Sequence, residues 1–277
     1  MTYGQQPGAR RPDGAQPYGA APQYSMYGDP NQGAGAMRPD AGGVYTIQPT
    51  AVTERAEHVS MTRAYGEMTI ALVLTGLVAI VTQMTGLYMR FIAATGALGV
   101  WLPMIVEVGI AIYLGMRVMN MRSSTARVWF YVYAALMGFS LSVIFSAYSI
   151  TTIGYAFLIS AVFYFALTMF GLTTKANMLK AGPVLLIGLV VLIVTQVVLM
   201  FVAPTNTMLK VVAAIGVVLF AGMTIYDAQF TKRVFAQYAS QGPEMIKRVS
   251  ILCALNLYLD FINMFLYILQ LLGLSRD

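Results

Sequence analysis

Between Arg127 and Lys175 the chain contains no Lys, Arg, Asp, Glu or His. A helix needs about 20 apolar residues to cross roughly 30 Å of hydrocarbon. The uncharged run is too long for one crossing and divides in two at Ser149-Ile150-Thr151-Thr152-Ile153-Gly154, a polar, β-branched stretch suited to a short turn. The same test applies to the gaps between charges elsewhere. Glu67 to Arg90 encloses a first span, and Arg90 to Arg117 a second, interrupted by Glu107. Gly182 to Ala203 forms the fifth, stopped by Pro204-Thr205-Asn206. Lys210 to Lys232 is the sixth, broken by Asp227, and Arg248 to Arg276 the seventh, broken by Asp260. The expected fold is an all-α integral membrane protein of seven transmembrane helices.

Composition agrees and excludes other classes. The chain is 58% hydrophobic and 10% charged, with a mean hydropathy of +0.69, where a soluble domain carries roughly a quarter of its residues as charges. The net charge of +6 does not indicate nucleic acid, because the Lys and Arg residues are scattered singly and in pairs between apolar runs. A lone cysteine, Cys253, excludes an internal disulfide, and a lone histidine, His58, excludes a His-cluster metal centre. Gly-rich phosphate loops, Ser-His-Asp sets and zinc spacings are absent, so no cofactor and no enzyme activity is expected. The methionines form no repeated Met-x-x-Met cluster in a pore-like position and fit membrane packing better than a copper path.

Residues 1 to 60 differ from the rest. Seven of the eleven prolines lie there, amid Gly, Gln, Ala and Tyr, as in GAQPYGAAPQYSMYGDPNQGAGA. Such a segment cannot bury enough apolar surface to offset its ordering entropy, and disorder is expected. Arg10-Arg11 resembles a twin-arginine signal, but no apolar stretch follows closely, which excludes a cleaved leader. The tail tyrosines, among them Tyr18 and Tyr45, suit either a solvated tail or a docking segment. The domain division is therefore 1–60 and 61–277.

Basic residues alternate between loops. Arg117, Arg122 and Arg127 lie between spans two and three, Lys175 and Lys180 between four and five, and Lys232, Arg233, Lys247 and Arg248 between six and seven. The other loops hold Arg90, nothing and Lys210. The positive-inside bias places the N-terminus in the cytoplasm and the C-terminus outside, in a bacterial inner membrane.

Four acids fall in or beside these spans, where a charge costs at least about 2.5–3.5 kcal/mol on insertion scales. Glu67 lies at a helix entry, near Arg63, and reads as an interfacial charge. Glu107 sits mid-span in LPMIVEVGIAIY and must face protein or water. Asp227, in GMTIYDAQFTKR, and Asp260, in ALNLYLDFINMFLYILQLLG, lie on consecutive antiparallel spans and can meet at similar depth. Helical spacing aligns Asn256, Asp260, Asn263 and Tyr267 on one face. Two carboxylates meeting in a low-dielectric site cannot both ionise cheaply; they share a proton and titrate as a unit. The ionised pair also attracts a hard cation, but two aspartates fall short of the six to eight oxygens calcium prefers, which suggests transient passage rather than storage. The alternative is that both aspartates simply tie helices together by hydrogen bonds.

FAGMTIYDAQ and ALNLYLDFINMFLYILQLLG resemble the signature of the Bax inhibitor family of seven-helix membrane proteins, with similarity running from Arg63 to Gly273. The resemblance implies a pH-sensing pair at Asp227 and Asp260, associated with calcium leak across the bilayer. It also implies an acidic residue in the second helix, which Glu107 matches, and an arginine at that helix's cytoplasmic end that latches the closed pair, with Arg117 the nearest candidate. Some bacterial members are associated with regulating a membrane quality-control protease, and the tail suits such a partner. An intramembrane aspartyl protease fits Tyr226-Asp227, but Asp260 follows Leu257-Tyr258-Leu259 rather than Gly-x-Gly.

Overall fold

The computed structural model describes residues 37–39, 45–47 and 51–275. The chain divides into two units, 1–50 and 51–277. In the first, β1 (Met37–Pro39) and β2 (Tyr45–Ile47) pair antiparallel, with Met37 opposite Ile47 and Pro39 opposite Tyr45. The disorder expected up to about Ser60 falls for the most part outside the described residues.

The second unit is helical: α1 (Ala51–Thr85), α2 (Leu87–Thr95), α3 (Leu98–Arg117), α4 (Ser123–Leu141), α5 (Ile144–Ala147), α6 (Ile150–Thr173), α7 (Gly182–Leu199), α8 (Asn206–Tyr238) and α9 (Pro243–Leu274). Seven stretches among the described residues are long and apolar enough to cross a membrane, in the order expected. Loops joining α3 to α4, α6 to α7 and α8 to α9 gather the basic residues at one end of the bundle, called here the basic end.

Three boundaries differ from the charge-gap reading. The first span stops at Thr85, and Arg90 lies in the separate short helix α2, set off by Gly86 and Gly96 at φ of 64° and 61°. Such positive φ suits glycine, which lacks the Cβ that penalises it. The turn expected over Ser149–Gly154 is confined to Tyr148 and Ser149. Ser149 Oγ accepts a hydrogen bond from the Thr152 amide, satisfying a donor at the start of α6, so Ile150 to Gly154 are already helical. The third span bends after Leu141 into α5, with Ser142 Oγ donating to Phe139 O.

Helix α9 is the axis of the bundle, packed against α1, α4, α6 and α8. Its residues from Val249 to Leu269 are largely buried, whereas α7 buries Leu192 and turns Val184, Leu186, Ile187 and Val190 outward. An apolar exterior is what lipid demands, and it makes close packing rather than hydrophobic burial the source of helix association. Small residues mark the close crossings. A Cβ on Gly138 of α4 would lie 2.5 Å from Thr75 O of α1, and one on Gly171 of α6 would lie 3.0 Å from Ile225 O of α8.

Candidate functional site

The tight α8–α9 connection, with Gly242 at φ 88°, returns the chain antiparallel and sets two acidic side chains face to face. Asp227 is 3% exposed and Asp260 2%, and the two carboxyl groups interact directly. Asn256 Nδ2 donates to Asp227 Oδ1 at 3.4 Å. Asp260 Oδ2 is buried without a hydrogen-bond partner. Among the described residues no Lys, Arg or His acts on either group. Two unprotonated carboxylates are acceptors only, so neither can serve the other, and beyond the Asn256 amide a proton or cation between them would complete the arrangement.

Residues from four helices complete the setting. Tyr65 on α1 and Tyr164 on α6 lie within electrostatic reach of both aspartates, and Cys253 on α9 within reach of Asp227. Tyr65 and Tyr164 face Thr168 of α6, and Cys253 faces Thr231 of α8. Tyr164 donates to Leu257 O at 3.2 Å. By contrast, the Tyr65 hydroxyl, Thr168 Oγ1 and Thr231 Oγ1 are buried and complete no hydrogen bond of good geometry within the protein. Buried polar groups are normally paired, so these three hydroxyls and the Asp260 oxygen leave unfilled hydrogen-bonding capacity among α1, α6, α8 and α9.

The polar stripe on α9 is realised in three of its four members. Asn256 and Asp260 point at Asp227, and Tyr267 stacks on Phe220 of α8 and accepts from Gln196 Nε2 of α7 at 3.2 Å. Asn263 turns back onto its own helix, donating to Leu259 O.

Glu107 does not join the pair. It is 8% exposed and accepts from Ser140 Oγ at 2.6 Å, with Tyr88, Tyr133 and Tyr258 as its electrostatic neighbours. Tyr258 bonds Thr75 of α1 at 2.7 Å and lies on a different face of α9 from Asp260, two positions on. The two acidic sites therefore flank the central helix on opposite sides. Arg117 is exposed at the end of α3, and no ion pair between described residues includes it, so no latch to the pair is made in this structure.

Glu67 is more deeply engaged than an interfacial helix-end charge. It is 7% exposed, forms a 2.5 Å ion pair with Arg127 of α4 and accepts from the Tyr131 hydroxyl at 2.6 Å. Its cation is thus Arg127 across the α1–α4 contact, not the nearby Arg63. Glu67→Gln is expected to cost about 1–2 kcal/mol in detergent unfolding: the charge-assisted bonds are lost, but Arg127 stays hydrated enough to limit the penalty. An unchanged midpoint would show that the pair contributes nothing to the α1–α4 contact.

Among the described residues no three His, Cys, Asp or Glu side chains come together as a metal centre. The site offers two carboxylates and hydroxyls, a donor set for transient contact with a hard cation.

Comparison with known proteins places these features in context. The model of the family described as inhibitor of apoptosis-promoting Bax1 matches residues 57–277. An uncharacterized protein of Rickettsia prowazekii is 34% identical over 219 residues, 78% of this chain and 90% of the relative. Inner membrane protein YbhL of Escherichia coli is 31% identical over 78% of this chain and 92% of its own length. A Deinococcus radiodurans protein is 33% identical over 84% of this chain and all of its own.

Proposed function

We propose that this chain, which belongs to the Bax inhibitor family, is a proton-controlled cation leak of a bacterial inner membrane, with calcium as the ion carried. The observation that carries the reading is the unsatisfied meeting of Asp227 and Asp260, with Asp260 Oδ2 buried and unpartnered and no basic side chain among the described residues acting on either. A proton shared by the pair removes the repulsion and holds α8 against α9. Loss of that proton leaves two adjacent negative charges at the most extensive helix interface, a drive for the helices to separate and an attraction for a cation. The proton thus favours the closed arrangement, and release favours the conducting one.

Glu107, held by Ser140 on the other side of α9, is a pathway carboxylate separate from the sensor. Arg117, at the basic end, is free of ion pairs among the described residues and is available as a latch only if α3 moves toward α8. Orientation follows the loop charges, with the basic end cytoplasmic.

The test is calcium flux into proteoliposomes over a range of pH. Wild type is expected to conduct more as pH rises, and Asp227→Asn and Asp260→Asn each to lose that dependence. Retention of the wild-type pH response by both variants removes the sensor, and absence of wild-type flux at every pH removes the leak. Removing residues 1–50, ahead of α1, leaves flux intact under this reading. A partner-docking regulator would instead lose its partner.

A further inference from the structure

A cavity of about 550 Å³ lies between α1 and α6, with Phe261 of α9 at its base. Met61 and Thr62, near the start of the first span, and Leu172, in the last turn of α6, place its outer part at the basic end. Each wall carries polar side chains at helical spacing: Thr62, Tyr65 and Thr69 on α1, Tyr164 and Thr168 on α6. Two of these five, Tyr65 and Thr168, face one another with buried hydroxyl oxygens that complete no hydrogen bond of good geometry. Tyr65 and Tyr164 lie within electrostatic reach of the aspartate pair, Thr168 adjoins both tyrosines, and Asp260 adjoins Phe261 of the cavity base.

A second cavity of about 310 Å³ continues toward the other end, sharing Leu72, Phe157 and Phe261 with the first. Its chemistry differs. Thr75 is its one hydroxyl-bearing lining residue, and that oxygen already bonds Ala71 O, Ala134 O and Tyr258. Both linings are mostly apolar, but unfilled hydrogen-bonding groups give water a foothold in the first, whereas a cavity without them stays dry. The three shared apolar residues are therefore the boundary between a half with unfilled hydroxyls and a dry half with none.

We propose that protons reach the Asp227–Asp260 pair through the α1–α6 cleft, from the basic end alone, with the hydroxyls of Tyr65 and Thr168 as its inner port. A proton entering from a cleft water breaks one O–H bond there and forms one at Asp260. Each intervening hydroxyl or water gains one proton and gives up one, so a single proton moves inward. Among the described residues, the titratable groups facing the route are Tyr65 of α1, Tyr164 of α6, Cys253 and Asp260 of α9 and Asp227 of α8, with no Lys, Arg or His among them. Leu72, Phe157 and Phe261 offer no relay beyond this point. The port rests on the reading of the aspartates as a proton-binding pair.

The experiment is infrared spectroscopy of the full chain in lipid nanodiscs, following the carboxylic C=O stretch that Asp227→Asn with Asp260→Asn removes. After transfer to D2O, the Tyr65→Phe/Thr168→Val double variant is expected to exchange this proton more slowly by about tenfold, the rate equivalent of one lost hydrogen bond. Thr75→Val, in the dry half, is expected to exchange at the wild-type rate. Equal rates for wild type and the double variant overturn the port, as does slowing by Thr75→Val alone. If no such band exists at any pH, the pair holds no proton, and the sensor reading itself fails. A Thr69→Cys chain in a Cys253→Ala background provides an independent readout: a charged maleimide should label it, and failure to label shows the cleft to be dry and removes the route.

Discussion

Asp260→Asn is expected to make the protein more resistant to unfolding at neutral pH, by about 1–4 kcal/mol, the range seen when buried charges give way to groups better suited to the interior. Asp260 is 2% exposed, its Oδ2 has no partner, and its neighbour Asp227 is a second carboxyl group rather than a cation. Asparagine keeps the shape, carries no charge and brings an amide donor that can serve the Asp227 carboxylate. The difference from wild type should be widest where the native pair carries two charges. It should narrow as pH falls, because the shared proton then supplies the same donor to wild type. Unfolding in detergent across a pH series measures both effects. If the aspartates are simply a tie between α8 and α9, the sign reverses and the variant is weaker at neutral pH. A gain in stability on removing a site residue is the mark of a group retained for function at the expense of the fold.

The seven spans were legible because lipid imposes a coarse rule, and gaps between charges measure it directly. The aspartate pair was legible for a related reason: consecutive helices joined by a short connection must be antiparallel neighbours, so Asp227 and Asp260 had few places to go. What sequence does not encode locally is which helix lies against a given face. Glu67 has Arg63 one turn away, yet bonds Arg127, sixty positions on, because α1 packs on α4. Glu107 and the pair are all carboxyl groups in apolar stretches of sequence, yet α9 stands between them.

The hydroxyl port was hidden by a different ambiguity. Threonines in apolar helices commonly bond a carbonyl one turn back, as Thr69, Thr75, Thr85, Thr173, Thr195 and Thr224 do. Thr168 and Thr231 look the same in the sequence and do not. Only the packing around them distinguishes the two groups, although Tyr164 and Thr168, one turn apart in an otherwise apolar span, are a usable signal.

Tyr258→Ala is expected to be the most damaging truncation in the bundle, costing about 3–5 kcal/mol, as large aromatic-to-alanine changes do in well-packed interiors. Tyr258 is fully buried in the axial helix, edge-on to Phe130 at 5.7 Å and Tyr133 at 5.8 Å. In lipid the loss does not come from exposing apolar surface to water. It comes from the contacts forfeited around the cavity, so it depends on how little α1 and α4 can collapse inward. The Gly138–Thr75 crossing already brings those helices as close as their backbones allow, which leaves them little room to close the gap. Tyr258→Phe separates packing from hydrogen bonding. Thr75 retains Ala71 O and Ala134 O as partners, so the hydroxyl's loss should cost no more than the roughly 0.6 kcal/mol typical of such bonds in membranes. Unfolding midpoints of both variants in one detergent provide the comparison. Equal losses for Phe and Ala would mean that the axis is held by the hydroxyl and not by the ring, and α9 would cease to be the packing centre that keeps Glu107 and the aspartate pair apart.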